Sequence, residues 1–166
     1  MSEHPRLEAG LVLKTLLDAN VEFVLIGGLA AQVHGSPSLT RDVDVCFSLD
    51  RDNLDRLAQA LDVLAAVRRD LPEAVHAPID ARALRAGDVF TLRTRYGDLD
   101  LLAHPDPGLD FATLSERSIT AELLGVRVRV AGLEDLMAMK RAAGRPKDRI
   151  ELEILGALRE ELDRRD

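Results

Sequence analysis

Two aspartates separated by one apolar residue, Asp42 and Asp44, form the most informative pattern in the chain. Thirteen residues separate them from a glycine pair, Gly27 and Gly28, that ends an apolar run. Side chains alternate along a strand, so both carboxylates share one face, where they repel each other unless a cation lies between them. A glycine turn that leads into a helix can hold phosphate. Phosphate and Mg²⁺ in one short segment indicate nucleotide chemistry.

A second acid pair, Asp98 and Asp100, offers a third carboxylate. Asp100 is flanked by leucines and interrupts a segment that should otherwise be core, and a buried acid is costly without a partner or a ligand. Asp98 follows Gly97 directly and is also typical of a turn residue. We favour Asp100 as the third acid and keep Asp98 as the alternative. Three carboxylates suit two Mg²⁺ ions, because Mg²⁺ keeps waters and takes further oxygens from substrate phosphates.

The apolar periodicity and the turn signals predict strands and helices in mixed order, which indicates an α/β or α+β domain. Helices are predicted over 6–19, 29–33, 51–67, 133–143 and 146–162, with Asn20 as a stop, Asp50 as a cap and Pro146 in a first turn. Strands are predicted over 23–26, 42–47, 89–94, 99–103, 118–124 and 126–130, the last four as two hairpins. Residues 68–88 are predicted to be irregular. We expect a small mixed sheet that carries the acids, flanking helices and a helical C-terminal tail.

Length and composition limit the possible functions. The 166 residues are predicted to form one domain over 1–166, with a core of about 20–130 and a tail of about 131–166. A net charge of −7 argues against broad affinity for nucleic acid or anionic membrane, and an aromatic content of 3% excludes base stacking as a major binding mode. The single cysteine, Cys46, rules out a disulfide framework and is predicted to be buried and inert. With no signal peptide or membrane span evident, we expect a cytoplasmic protein.

The spaced set of motifs resembles the signature of the nucleotidyltransferase superfamily with the DNA polymerase β-like fold. The glycine pair, the interval of thirteen residues and Asp-Val-Asp-Val match its first motif, and Leu99-Asp100-Leu101 is similar to its third. The segments 27–31, 34–35 and 40–44 and the tail 133–148 resemble minimal nucleotidyltransferases and the transferase toxins of type IV, abortive-infection-type toxin–antitoxin systems. The resemblance extends from about residue 20 to residue 160.

This resemblance implies Mg²⁺-dependent transfer of a nucleoside monophosphate from an NTP to an acceptor hydroxyl, with release of pyrophosphate. It implies that Asp42, Asp44 and Asp100 ligate two Mg²⁺ ions, with Mn²⁺ as a substitute, and that Asp100 helps to deprotonate the acceptor. The nucleotide-binding residues that it implies are Gly27, Gly28, Thr40, Arg41, Lys140 and Arg145; Asp148 shares the tail motif. Ser38 departs from the pattern, since relatives often carry arginine there.

Several alternatives stay open at this point. The acceptor is RNA, a protein or a small molecule, and the chain is the toxin of a toxin–antitoxin pair with a cognate partner, or a stand-alone enzyme. A non-catalytic nucleotide-binding or antitoxin-like regulatory partner would have the same fold. A small-molecule modifier that resembles the antibiotic nucleotidyltransferases is a further alternative, because an acidic surface would suit a cationic aminoglycoside. The leucines of the first helix would serve packing or a homodimer, and His34 is predicted to pack rather than to catalyse. The basic run from Lys140 to Arg149 is either a solvated helix face or an anion-binding patch.

Overall fold

The computed structural model describes residues 3–166, which form seven helices and seven strands. The helices are α1 (Ala9–Asp18), α2 (Gly27–Val33), α3 (Arg51–Val63), α4 (Ala81–Ala86), α5 (Phe111–Glu116), α6 (Leu133–Ala143) and α7 (Pro146–Arg165). The strands are β1 (Phe23–Ile26), β2 (Asp42–Phe47), β3 (Val67–Arg68), β4 (Val89–Thr94), β5 (Gly97–Leu102), β6 (Ile119–Leu123) and β7 (Val126–Val130). Among these residues no helix has the length and apolar character needed to cross a bilayer.

The seven strands form one mixed sheet in the order β3-β4-β5-β2-β1-β7-β6. β2 runs antiparallel to β1 and parallel to β5, while β1 runs parallel to β7. The β4–β5 and β6–β7 pairs are antiparallel hairpins, as predicted. The register that matters for function is that of β2 and β5, which places Asp42 beside Asp98 and Asp44 beside Asp100.

The sheet separates a core face from a face that carries acids, because side chains alternate along each strand. On β2, Val43 and Val45 are fully buried, whereas Asp42 and Asp44, which alternate with them, are half-buried. On β5, the buried Leu99 and Leu101 alternate with half-buried aspartates in the same way. Two amphipathic helices add to the core: α1 buries Val12, Leu13 and Leu16, and α3 buries Leu54, Leu57 and Leu61. α2 packs against β1, β2 and α6, and α6 packs against α7, so the C-terminal tail lies near the glycine pair.

The structure corrects the predicted elements mainly between residues 64 and 88. α3 ends at Val63 instead of Val67 because Ala65 adopts a left-handed conformation at φ 52°, and Ala66 N–H closes the end on the carbonyl of Leu61. The segment 68–88, predicted to be irregular, contains α4 and the second residue of β3, whose first residue lay in the predicted helix. Asp50 occupies the N-cap position of α3, but its side chain makes no capping hydrogen bond.

Smaller differences concern helix ends and one short helix. α1 begins at Ala9 and ends before Asn20, which has φ 58° and is the stop that the sequence indicated. α2 starts two residues earlier than predicted, at Gly27, and α7 extends to Arg165. α5, a single helical stretch capped by the side chain of Asp110, was not predicted. The six predicted strands are all present, with ends that shift by up to two residues.

Candidate active site

Three carboxylates from two neighbouring strands meet on the acid face of the sheet. One oxygen of each of Asp42, Asp44 and Asp100 lies within 4.8 Å of the other two, and all three residues are half-buried. The two-residue period of β2 points its pair to one side, and the parallel register with β5 places Asp100 next to Asp44. Of the two acids considered on β5, the structure therefore brings Asp100 into the cluster.

The cluster carries excess negative charge. Burial, together with the neighbouring charges of Asp42 and Asp100 and against the opposing charge of Lys140, raises the pKa of Asp44 to about 8. Burial also raises the pKa of Asp100, against the opposing charge of Arg69. Carboxylate oxygens at this spacing are the donor set that hard divalent cations prefer, and a bound cation would remove the repulsion. The residues present therefore fit a divalent metal.

Both glycines of the pair are required because aspartate and threonine side chains lie directly on their backbone. Gly27 has φ 71°, a left-handed value, and a β carbon there would overlap the carboxylate of Asp44 and lie 2.8 Å from its Cγ. A β carbon on Gly28 would lie 2.7 Å from the Cβ of Thr40. The glycine pair thus lets the first turn of α2 approach the acid cluster closely.

The loop between α2 and β2 contributes Thr40 and Arg41 to the same place. The hydroxyl of Thr40 donates to Asp42, with both the backbone oxygen and Oδ1 of Asp42 at 3.2 Å. Arg41 and Ser38 line the space above the acids. Leu39, between them, is almost fully exposed at 96% and lines the same space, a large apolar side chain that the sequence did not mark as functional.

The C-terminal tail brings cations over the cluster. Lys140 at the end of α6 and Arg145 before α7 both bind Asp148, whose side chain is fully buried. Lys140 Nζ lies 3.3 Å from Asp148 Oδ1, and Oδ2 accepts from the Nε of Arg145 at 2.8 Å and from its backbone N–H at 3.0 Å. Burial opposes ionisation of Asp148, but the hydrogen bonds from Arg145 and Lys140 outweigh it and hold its pKa below the usual range.

These parts enclose a cavity of about 630 Å³, here called the acid cavity. The three aspartates, Gly28 and the loop 38–41 form one side of its lining, and Lys140, Arg145, Lys147, Ile150 and Glu151 of the tail form the other. The volume lies within the range of about 300–1,000 Å³ that is typical of small-molecule sites. A smaller apolar pocket of about 180 Å³ adjoins Gly27, Asp44 and Lys140 and is walled by Leu136, Met139 and Leu155.

The basic run from Lys140 to Arg149 is divided by position between the acid cavity and the solvent-exposed surface. Lys140, Arg145 and Lys147 line the acid cavity, whereas Arg141 and Arg149 are exposed and do not line it. Asp148 explains the division, because its buried carboxylate fixes Lys140 and Arg145 in the cavity wall.

Sequence reasoning missed one residue that touches the cluster directly. The guanidinium of Arg69 binds Asp98 through Nη1 and Asp100 through Nη2, the latter at 2.7 Å. Arg69 follows β3, in the segment predicted to be irregular, and its backbone N–H donates to the carbonyl of Thr91 on β4. No pattern in the sequence marks it, because its position depends on a strand pairing of two residues.

Two further residues are placed outside the cluster. His34 caps the end of α2, and its Nε2 lies 2.8 Å from the carbonyl oxygen of Ala131, a contact that ties α2 to the residue that follows β7. Cys46 is fully buried, and burial raises the pKa of its thiol to about 12, so it is the inert thiol that the sequence indicated.

Comparison with known proteins gives structural but no sequence matches. No family model matches the chain, and no curated protein matches it. The structure is similar to that of the lincosamide antibiotic adenylyltransferase LnuA with lincomycin bound, with a TM-score of 0.62 at 16% identity, over 92% of this chain and 99% of that chain.

Two other solved structures show the same likeness. ANT(2'')-Ia in complex with adenylyl-2''-tobramycin has a TM-score of 0.54 at 16% identity, over 93% of this chain and 94% of that chain. An antigenic nucleotidyltransferase-like protein from Paracoccidioides brasiliensis has a TM-score of 0.53 at 18% identity, over 90% of this chain and 72% of that chain. The architecture that the sequence predicted is confirmed: the chain has the nucleotidyltransferase fold.

Proposed function

We propose that the chain is a divalent-cation-dependent nucleotidyltransferase that transfers a nucleoside monophosphate from an NTP to an acceptor hydroxyl. The observation that supports this most strongly is the convergence of Asp42, Asp44 and Asp100 in a cavity that also contains Lys140 and Arg145. Oxygen ligands for metal and fixed cations for phosphate are the two requirements of transfer at phosphorus, which depends mainly on positioning and charge stabilisation.

In the proposed reaction the acceptor oxygen forms a bond to the α-phosphorus while the bond from that phosphorus to the bridging oxygen breaks. The electron pair leaves with pyrophosphate. Mg²⁺ bound to the three aspartates would neutralise charge on the phosphate oxygens and on the attacking and leaving oxygens. Asp100 accepts the proton of the acceptor hydroxyl and passes it to solvent, a role that burial of its carboxyl favours.

The tail supplies the contacts to the departing phosphates. Lys140 and Arg145 carry the charge that pyrophosphate develops, and their shared partner Asp148 orients both before a nucleotide binds. Thr40 holds Asp42 by its hydroxyl and occupies the space beside Gly28, so it positions an acid rather than a phosphate. Arg41, exposed at the mouth of the acid cavity, is free to reach the nucleotide.

We propose ATP as the donor, because two of the similar structures bear names that describe adenylyl transfer. Those proteins act on antibiotics according to their names, and an acceptor of that size is compatible with the cavities of this chain. The toxin–antitoxin setting, a cognate partner, a homodimer and a cytoplasmic location remain predictions from the sequence.

A nucleotide sensor without transferase activity is the second candidate. Two observations favour it: Arg69 already forms an ion pair with Asp100, and Ser38 stands where relatives often carry an arginine. The two candidates differ in one measurable product. A transferase releases pyrophosphate from ATP in the presence of Mg²⁺ and an acceptor, whereas a sensor binds ATP and leaves it intact.

The experiment measures pyrophosphate release from each NTP with Mg²⁺ and a panel of hydroxyl acceptors, using wild-type protein and single Asp→Asn variants. Changes at Asp42, Asp44 and Asp100 are expected to lower the rate by more than about 100-fold, since even residues behind a metal ligand cost 10–100-fold. Asp98→Asn is the matched control, because Asp98 shares the strand but lies outside the cluster. Equal loss in the Asp98 variant, or full activity without Asp44, would remove the proposed assignment.

A further inference from the structure

A second large cavity lies on the β3 side of the acids, and the steps of the proposed reaction do not involve it. It has a volume of about 600 Å³ and is here called the arginine cavity. Leu61, Val67 and Ile79 contribute apolar lining, and Arg68, Arg69 and Arg93 contribute guanidinium groups. Its size suits one small molecule.

Most of the arginine charge on its wall is already paired. Arg68 binds Asp70, and Arg69 binds Asp98 and Asp100. Two acids, Asp62 and Glu73, also line the cavity. The charge that the wall offers to a ligand is therefore that of Arg93.

Arg93 is the arginine whose charge is not neutralised. Its Nη2 donates to the ring nitrogen Nε2 of His4 at 2.9 Å, and no carboxylate within residues 3–166 forms an ion pair with it. Its Nε is a buried nitrogen that has no hydrogen-bond partner among the described residues. Because this Nε is buried, the donors that Arg93 offers to the cavity are its terminal Nη groups, and a carboxylate or phosphate oxygen accepts a charge-assisted hydrogen bond from such groups.

The arginine cavity adjoins the acid cavity through one ion pair. Arg69 lines the first, Asp100 lines the second, and Arg69 Nη2 donates to Asp100 Oδ1 at 2.7 Å. The arginine cavity is therefore linked through Arg69 to the acid that is proposed to accept the acceptor proton. Nucleotide phosphates have their own cations, Lys140 and Arg145, on the tail side of the acids.

We infer that the arginine cavity is the acceptor site and that it selects small hydroxyl compounds bearing a phosphate or carboxylate group. Arg93 binds the anionic group, and Arg69, once displaced from Asp100, binds it or the hydroxyl. This inference rests on the proposed transferase function and specifies its acceptor. It predicts that a polycation such as tobramycin binds less tightly than an anionic sugar, because its ammonium groups would meet Arg93.

The test uses binding, so that it does not depend on catalysis. Backbone amide shifts of wild-type protein are recorded without NTP during titration with glucose 6-phosphate, glucuronate, glucose and tobramycin. The phosphate and carboxylate sugars distinguish the two anionic groups, and glucose is the neutral match. We expect one or both anionic sugars to shift amides at 67–69 and 93, and to bind at least about tenfold more tightly than glucose, as charge-assisted hydrogen bonds would give.

Variants locate the contact. Arg93→Gln is expected to weaken binding of the anionic sugar about tenfold, and Arg93→Lys to restore part of it, with thermal unfolding recorded to confirm that both fold. Arg127→Gln is the matched control, because Arg127 is exposed on β7, four strands away from β4 across the sheet. Lys140→Gln should leave binding of the anionic sugar unchanged, since Lys140 lies on the nucleotide side.

The inference is overturned if glucose or tobramycin binds as tightly as the anionic sugars, or if the shifts appear around Lys140 and Arg145. It is also overturned if Arg93→Gln binds the anionic sugar as tightly as the wild type does. A further contrary result would be that an RNA oligonucleotide shifts these amides whereas the sugars do not. Failure of the transferase proposal is seen separately, as absence of pyrophosphate release from ATP with every acceptor, and it would leave anion binding in this cavity intact.

Discussion

Replacing Gly27 with alanine should both destabilise the protein and disable the acid cluster. The left-handed backbone at φ 71° costs a residue with a β carbon about 1–2 kcal/mol. The new methyl group would also overlap the carboxylate of Asp44, and overpacking of this kind costs about 1–3 kcal/mol. Together the free energy of unfolding should fall by about 2–5 kcal/mol, a large part of the ~5–15 kcal/mol typical of a domain.

Three other glycines allow the two contributions to be measured separately. Gly125 has φ 82° and open space around its β position, so Gly125→Ala reports the backbone cost alone. Gly28 lacks a left-handed φ but faces Thr40 at 2.7 Å, so Gly28→Ala reports crowding alone. Gly156 lies inside α7 in open space, and Gly156→Ala should raise stability by up to about 1 kcal/mol because alanine favours helix.

The assay is urea unfolding followed by circular dichroism in a chelating buffer, combined with pyrophosphate release in Mg²⁺. Asp44 must move to admit the methyl group, and a displacement of about 1 Å in a catalytic group can cost on the order of 100-fold in rate. In the double variant Gly27→Ala/Asp44→Ala the carboxylate is absent and cannot collide with the methyl group. The loss in free energy of unfolding of the double variant should therefore be smaller than the sum of the losses in the two single variants.

The reasoning is refuted if Gly27→Ala costs no more than Gly125→Ala, or if the double variant shows simple additivity. Either result would mean that Asp44 does not lie against the glycine. If Gly27→Ala released pyrophosphate at the wild-type rate, the close approach of Gly27 to Asp44 would not be required for catalysis.

Two further predictions follow from the charges. Without divalent cations, stability should decline as the pH rises from about 4 to about 8, because the unfolded carboxyl of Asp44 ionises near 3.8 whereas burial keeps the folded one protonated up to about 8. Urea midpoints at pH 5 and pH 8 should show this decline in the wild type and less of it in Asp44→Asn, and Mg²⁺ should reverse it; an equal decline in both proteins would contradict the burial argument. Asp148→Asn should cost about 1–3 kcal/mol and raise the KM for ATP, because Lys140 and Arg145 lose their shared partner. Asp163→Asn, an exposed change on the same helix, should do neither, and a similar effect in both variants would show that general helix charge is responsible.

The acid cluster could be predicted because it depends on local rules. Alternation along β2 fixes which side Asp42 and Asp44 share, whatever the strand packs against. The choice between Asp98 and Asp100 was made from the leucines that flank Asp100, and the register with β5 agrees, since it pairs Asp100 with Asp44. The parallel pairing of β2 and β5 was only a condition in the sequence argument, and it is the non-local fact on which the cluster depends.

The β3 region could not be predicted because its structure depends on tertiary contacts. β3 has only two residues, too few for any periodicity, and it forms by pairing with β4. The helix before it ends at Val63, and Ala65 closes that end in a left-handed conformation without the glycine that normally signals it. Arg69 depends on both features, so neither its ion pairs nor the arginine cavity has a signature in the sequence.

The cations on the two sides of the cluster are held by different partners, and this difference bears on how the site responds to a metal. Lys140 and Arg145 bind Asp148, which lies outside the three acids, so a cation that binds the acids does not compete with them. Arg69 binds Asp100 itself, so any cation that coordinates Asp100 must compete with Arg69 for the same carboxylate. The cations on the tail side of the acid cavity are therefore fixed whether or not the acids hold a cation, whereas the guanidinium of Arg69 becomes available only when Asp100 acquires another partner.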